Sequence, residues 1–163
     1  TAVIVAINDI FHLGLKKPQL ARLAAELGSD TAYFVYNDAE LCTGRGEIMS
    51  PIAVELAGRW LVVVKPDEGV STAEAYRGVK PAMPERGLRE LLAEPIECWQ
   101  EGVKNGFEPH IFEAHPRIRA IKESLLACGA LYASMSGSGS AVFGIFAEKP
   151  NFTTEDFVHI EQL

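Results

Sequence analysis

The residues best suited to chemistry fall in a few short stretches. Ser136-Gly-Ser-Gly-Ser140 is the most unusual. Small residues there let backbone N–H groups approach a ligand, and such nests bind phosphate oxygens. A glycine-rich hairpin turn has the same composition, and composition leaves the two readings level. Three sharper motifs fail. A dinucleotide fingerprint needs a third glycine where Val142 stands and a helix after the loop, whereas Ala141-Val-Phe-Gly-Ile-Phe146 reads as a strand. A nucleophile elbow needs glycine two places before and after its serine; Ser136 has Ser134 and Ser138 there, and Ser138 has Ser136 and Ser140. The Gly-Lys-Ser/Thr of a Walker A loop occurs nowhere in the chain.

Asp30 stands between the end of one element and the start of the next, after Gly28-Ser29 and before Thr31-Ala32. A carboxylate at such a junction can serve as a general base or bind a cation. A turn aspartate bonded to its own backbone is the commoner case. Gly44-Arg45-Gly46-Glu47 forms a second compact polar loop, whose plainer reading is a hairpin with an exposed ion pair. Tyr76 follows the helix start at Ser71-Thr72 and can stack on a planar ligand or pack in the core. Asn105-Gly-Phe-Glu108 carries a turn signal, and Glu108 can cap or pair. His115, just before Pro116, reads as a helix-entry residue without a chemical role.

No metal site is expected. His12, His110, His115 and His159 lack the spacing that puts two imidazoles on one helical face. Cys42, Cys98 and Cys128 are odd in number and far apart, which argues against a disulfide framework or zinc knuckle and points to the cytoplasm. With 15 basic and 22 acidic residues the formal charge is −7, which argues against a nucleic-acid partner bound through a basic surface. No apolar run approaches the roughly 20 residues that span a bilayer, so no membrane partner is expected. At 48% hydrophobic and 23% charged, the 163 residues can build a real core.

The elements that position these residues follow from periodicity. Val3, Ile4, Ile7, Ile10 and Phe11 make a helix stripe wide enough to be mostly buried, and Leu20, Leu23, Ala24 and Leu27 make a second. Tyr33–Tyr36 reads as a strand turning at Asn37-Asp38 into a second strand over Glu40–Thr43. Trp60–Lys65 is a buried-type strand. Ser71 and Glu74 predict a capping box for a helix through about Val79, and residues 80–87 read as a loop. Helical stretches follow near 88–93 and 96–103, then a stronger helix from Pro116 to Gly129 with the stripe Ile118, Ile121, Leu125 and Leu126. Leu131–Ser134 and Ala141–Phe146 are predicted strands, and the tail from Thr153 a short helix. The mixture predicts an α+β fold rather than a doubly wound sheet, with a break near residues 50–58. The chain opens at Thr1 inside an apolar stripe, without methionine or a signal-peptide pattern, and is expected to be a portion of a longer protein.

Five segments, in order, resemble the signatures of one family: Leu27-Gly-Ser-Asp-Thr-Ala-Tyr-Phe34, Thr43-Gly-Arg-Gly-Glu47, Lys65-Pro-Asp-Glu-Gly-Val-Ser-Thr72, Asn105-Gly-Phe-Glu108 and Met135-Ser-Gly-Ser-Gly-Ser-Ala-Val-Phe143. They look like those of the 4-diphosphocytidyl-2-C-methyl-D-erythritol kinases, a branch of the GHMP kinases. The glycine–serine loop alone is similar only to the wider superfamily. Departures are Ser29, Thr31, Ala32 and Tyr33 in a segment that usually reads Gly-Ala-Asp-Val-Pro-Phe-Phe, and Gly106 where aspartate is usual.

The resemblance implies the C-terminal portion of such a kinase. Residues 1–52 would end a ribosomal-S5-domain-2-like ATP-binding domain, and 53–163 would form a ferredoxin-like GHMP C-terminal domain. It implies phosphoryl transfer from ATP, with Mg²⁺, to the 2-hydroxyl of CDP-methylerythritol in isoprenoid precursor biosynthesis. Asp30 would be the catalytic base. Gly44, Arg45, Thr72, Ala73 and Tyr76 would receive the cytidine end, and Ser136, Gly137, Ser138, Gly139 and Ser140 would close over the phosphates. The family's Gly-Leu-Gly-Gly-Gly-Ser-Ser-type ATP loop is absent from these residues, so the chain alone is expected to be inactive. Two alternatives are another GHMP small-molecule kinase and a non-catalytic ferredoxin-like binding module.

Overall fold

The N-terminal stripe does form a helix, α1 (Ala2–Ile10), and the second stripe forms α2 (Lys17–Ala25). The computed structural model describes residues 1–28, 30–44, 46 and 48–163. It divides into two compact units, Thr1–Val54 and Glu55–Leu163. In the first, α2 is opened by Pro18 in its first turn and by the Lys16 N–H, which donates to Gln19 Oε1 at 2.8 Å. Its inner face is cut from small side chains: Leu20, Ala21 and Ala24 pack with Ala32 and Val35. From α1 only Ile4 reaches this cluster, while Val3, Ile7, Ile10 and Phe11 lie exposed. Within these 163 residues the expectation of a mostly buried α1 is therefore corrected: most of its apolar stripe is exposed.

Tyr33–Tyr36 is a helical turn, α3, and not a strand. Aromatic and β-branched residues favour strands only when a pairing edge is available. Here Val35 is instead buried against α2, and Asn37 ends the turn in the left-handed region at φ 54°. Strand β1 (Glu40–Thr43) forms as expected, but its partner is β2 (Ile48–Pro51), with Thr43 opposite Ile48. Gly44 and Gly46 lie in the turn between them.

In the second unit, β3 (Trp60–Lys65) leads to α4 (Thr72–Gly78), α5 (Leu88–Leu92), a 3₁₀ turn at Ile96–Cys98, α6 (Trp99–Gly102), α7 (Glu108–Ala114) and α8 (Pro116–Ala127). Then come β4 (Tyr132–Met135), β5 (Val142–Phe146) and β6 (Phe157–Gln162). The sheet order is β4-β5-β3-β6, and every neighbouring pair is antiparallel. This is the ferredoxin-like strand order and direction. Only the first crossover is helical; residues 147–156 make the second as an extended connection that buries Phe152. The predicted helix in the tail is corrected to strand β6. Val158 and Ile160 pack against the core while Phe157, His159 and Glu161 face out, a period of two that the short tail did not advertise.

The core lies between one face of the sheet and helices α4, α7 and α8. Val62, Val64, Ala133, Met135, Val142 and Phe146 meet Ala75, Ile111, Ile118, Ile121 and Leu125. Complete burial of each large aliphatic side chain stabilises by about 1.5–3 kcal/mol. On the opposite face, Trp99 meets Tyr132 edge-on at 5.8 Å, and Tyr132 meets Phe143 at 5.9 Å. Among the described residues no helix is long and apolar enough to cross a membrane.

Candidate functional site

Each unit gathers part of the predicted set. In the first, Asp30 lies on the turn between α2 and α3 and is exposed. Thr31 locks that turn. Its hydroxyl faces the carbonyls of Ala24 and of Gly28, the latter at 2.7 Å, and its N–H donates to Gly28 O at 3.2 Å. The hydroxyl of Thr1 donates to Thr31 O at 2.6 Å. Thr31 thus fixes the turn. The Asp30 carboxylate lies against Gly46, which has φ +105°. A side chain at Gly46 would strike the carboxylate, so glycine is required there for both conformation and space. Gly44 sits on the same loop, also at positive φ. Arg45, together with Ser29 and Glu47, lies outside the described residues.

In the second unit, Ser71 caps α4 by accepting the Glu74 N–H at 3.1 Å. Thr72 and Ala73 are exposed in its first turn, and Tyr76 follows one turn later on the same side. Tyr76 is 66% exposed and is not a core residue. One edge of its ring is braced by Phe107, with centroids 5.0 Å apart at 71°.

Ser136–Ser140 turns the hairpin between β4 and β5. Ser136 N donates to Ala141 O at 2.8 Å, and Gly139 N donates to Ser136 O at 2.9 Å. Gly137 and Gly139 both have positive φ, and a side chain at Gly139 would meet the Met135 sulfur. Ser136 and Gly137 are exposed, Ser138 and Gly139 half-buried, and Ser140 buried. Ser140 Oγ donates to Glu68 O at 2.5 Å.

The Asn105–Glu108 segment braces this hairpin from the side. Asn105 Nδ2 lies 2.7 Å from Met135 O and 2.8 Å from Gly137 O. Glu108 is buried, accepts Met135 N–H at 2.8 Å and Ser134 Oγ–H at 3.1 Å, and pairs with Lys122 at 2.6 Å. Gln100 Oε1 accepts Ala133 N–H at 2.9 Å. Side chains therefore satisfy the outer edge of β4 where a further strand would otherwise pair.

Sequence reasoning gave His115 no role. Its Nδ1 lies 2.5 Å from Glu68 Oε1 and its Nε2 lies 2.8 Å from Glu74 Oε1. These bonds, to Glu68 first and Glu74 second, hold His115 above the usual histidine value. The bond from His115 holds Glu74 below the usual carboxylate value. Separations of 47 and 41 residues leave no local signal that could have joined the three. Among the described residues no group of three or more His, Cys, Asp or Glu side chains is placed to hold a metal ion.

Residues 85–154 match the family described as GHMP kinases C terminal. The 4-diphosphocytidyl-2-C-methyl-D-erythritol kinase of Bacteroides fragilis is 42% identical over 151 residues, covering 93% of this chain and 55% of that protein. The kinase of the same name from Parabacteroides distasonis is 43% identical over 149 residues, covering 91% of this chain and 55% of that protein. The chain belongs to the GHMP kinase family. A crystal structure of 4-(cytidine 5'-diphospho)-2C-methyl-D-erythritol kinase superposes with a TM-score of 0.69 at 29% identity, covering 88% of this chain and 53% of that one. Homoserine kinase from Cytophaga hutchinsonii shares the fold, with a TM-score of 0.70 at 16% identity, over 98% of this chain and 62% of that one. The chain spans about half the length of the curated GHMP kinases it matches.

Proposed function

We propose that the chain carries the acceptor side of an enzyme that moves the γ-phosphate of ATP to the 2-hydroxyl of 4-diphosphocytidyl-2-C-methyl-D-erythritol, in the cytoplasm, for isoprenoid precursor synthesis. The observation that carries this reading is the exposed carboxylate of Asp30, on a turn fixed by Thr31 and seated against Gly46, in a chain 42% identical to a kinase of that name. In the reaction the substrate hydroxyl oxygen bonds to the γ-phosphorus, the bond from that phosphorus to the ADP oxygen breaks, and the hydroxyl proton passes to Asp30. A positioned base contributes about 10²- to 10⁴-fold. Residues 1–52 would end the ATP-binding domain and 53–163 form the C-terminal domain.

Tyr76 would stack on cytosine, which is worth about 1–3 kcal/mol for a base on an aromatic ring. Thr72 and Ala73, one turn earlier, would line the same ligand, as would Gly44 and Arg45. Ser136–Ser140 would present backbone N–H groups near the phosphates. Among the described residues no group of carboxylates is placed to hold a resident Mg²⁺; the ion would enter on the phosphates of ATP, as Mg²⁺ commonly does. The ATP loop belongs, in this proposal, to protein outside these 163 residues.

The test is a coupled ATP assay on full-length protein, offering CDP-methylerythritol, mevalonate, homoserine and galactose separately. Turnover is expected with the first alone. Asp30→Asn is expected to lower kcat by about a hundredfold or more. Tyr76→Ala is expected to raise KM for the cytidine substrate and leave KM for ATP unchanged. Turnover of a different alcohol, or near-normal kcat in Asp30→Asn, overturns the proposal.

A further inference from the structure

Three segments distant in sequence meet at His115. This residue is the joint between α7 and α8: its N–H donates to Ile111 O at 2.7 Å and its carbonyl accepts from Ile118 N at 3.1 Å. Its side chain is only 15% exposed, and both ring nitrogens face carboxylate oxygens, of Glu68 and of Glu74. An ionised carboxylate only accepts hydrogen bonds, so both ring nitrogens must donate, and only the imidazolium has two N–H groups. A neutral ring would turn a lone pair toward one of the two carboxylates.

The two carboxylates lead to different parts of the candidate site. Glu68 is the residue whose backbone oxygen takes the Ser140 hydroxyl. Glu74 lies in the first turn of α4, its N–H on the Ser71 cap, two residues before Tyr76. We infer that His115 is a positioning residue: as a cation it holds Glu68 and Glu74 together, and so fixes the Tyr76 helix against the segment that anchors the glycine–serine loop. The coupling is a property of the second unit itself; its consequence for ligand binding rests on the reading of Tyr76 as the cytidine platform.

The surrounding charges leave this role to His115. Lys65 directs its ammonium to Pro66 O at 2.6 Å and Glu68 O at 3.4 Å, both main-chain oxygens. Arg117 is engaged with Asp156 at 2.5 Å. Arg77, further along α4, adds only the smallest contribution to the lowered Glu74 value, and Glu113 of α7 lines a cavity with Arg77, Lys80 and His110. The direction with pH follows. His115 is raised above 6.5, so its contribution is complete below 6.5 and lost as pH rises through the raised value. Glu74 is lowered below 4.5, so its contribution is complete above 4.5 and lost as pH falls through the lowered value. The clamp is at full strength between those ordinary values and opens on the alkaline side as pH rises through the raised His115 value.

The test is ¹⁵N NMR on the whole 163-residue chain, following the His115 ring nitrogens and the backbone amides of Tyr76 and Ser140 from about pH 5 to 9. The ring is expected to stay doubly protonated past its ordinary titration point, and the two amides to shift with its midpoint. Glu68→Gln and Glu74→Gln should each lower that midpoint. His115→Lys, a donor-only cation, should keep the low-pH amide positions and abolish their pH response, and His115→Gln should fix them at the high-pH positions. A midpoint at or below the ordinary histidine value, or amides that ignore it, overturns the inference; the two glutamate variants decide it even if His115→Gln does not fold. Cytidine 5′-diphosphate is then titrated into the chain. Its Kd is expected to rise roughly two- to tenfold in His115→Gln. If Tyr76→Ala weakens this binding and His115→Gln does not, the positioning role falls. If Tyr76→Ala leaves it unchanged, the cytidine reading falls, and the NMR result still judges the clamp.

Discussion

The turn that carries Asp30 and the loop from Ser136 to Ser140 are both built from small residues and both bear predicted site residues, yet they are held in different ways. The Asp30 turn is locked from within: Thr31 bonds back to Ala24 and Gly28, only a few residues away, and Thr1 is its one distant bond among those described above. The Ser136–Ser140 loop is tied from outside, by Asn105 across 30 and 32 residues and by Glu68 across 72. A locally locked turn keeps its geometry with little help from its surroundings. A loop tied from distant segments is correct only when those segments are in place, so its shape reports on the whole unit.

The largest expected effect breaks the second kind of support. Glu108→Ala removes the acceptor for Met135 N–H and Ser134 Oγ–H and strands the Lys122 ammonium, which is 13% exposed and lies 5.7 Å from the centre of the Phe112 ring. Removing one partner of a buried ion pair costs about 3–5 kcal/mol. Trp60 and Trp99, the only tryptophans of the chain, both belong to the second unit, so tryptophan fluorescence during urea unfolding reads this loss directly. A change below about 1 kcal/mol, the scale of an exposed ion pair, would show that Glu108 is not the brace of the β4 edge.

The same contrast explains what could be read in the sequence. Strand β3 was legible because Trp60–Lys65 is apolar at consecutive positions, and α8 because Ile118, Ile121 and Leu125 keep a helical period. The Ser71 cap was legible because a cap is a three-residue affair; that Glu74 also reaches His115 was not. Tyr33–Tyr36 misled because strand propensity says nothing about whether an edge is free, and the free edge went to β2. The tail misled because six residues show their period only once β3 is beside them. Asp30, Gly44 and Tyr76 are proposed site residues on the strength of family motifs, and their positions in the fold are exposed. His115 lies in no quoted motif, and Glu68 lies in the Lys65–Thr72 signature without a role assigned to it; their relation exists only after α7, α8 and the 66–71 segment have met.

The Asp30 side of the comparison is sharpened by two smaller changes. Gly46→Ala forces a side chain into a left-handed position, which costs about 1–3 kcal/mol, and drives it into the Asp30 carboxylate. In the full-length enzyme kcat should fall by on the order of a hundredfold, as a misplaced catalytic group does, while KM for the cytidine substrate changes less. Equal kcat for Gly46→Ala and the parent would show that the carboxylate can leave Gly46 without loss.

The smallest effect belongs to the local lock. Thr31→Val keeps the shape of the side chain and deletes its hydroxyl, leaving the carbonyls of Ala24 and Gly28 without that donor. A single such bond is worth about 1 kcal/mol. Hydrogen exchange at the Thr31 amide, which donates to Gly28 O, should accelerate by roughly fivefold, since 1.4 kcal/mol is a factor of ten in an opening equilibrium. If the lock is as local as its bonds, exchange at the Ser136 and Gly139 amides stays at its parent value, because those amides donate to Ala141 O and Ser136 O within their own hairpin. Equal acceleration at both places would mean that the Asp30 turn, too, is held by the fold at large, and the distinction between the two loops would be gone.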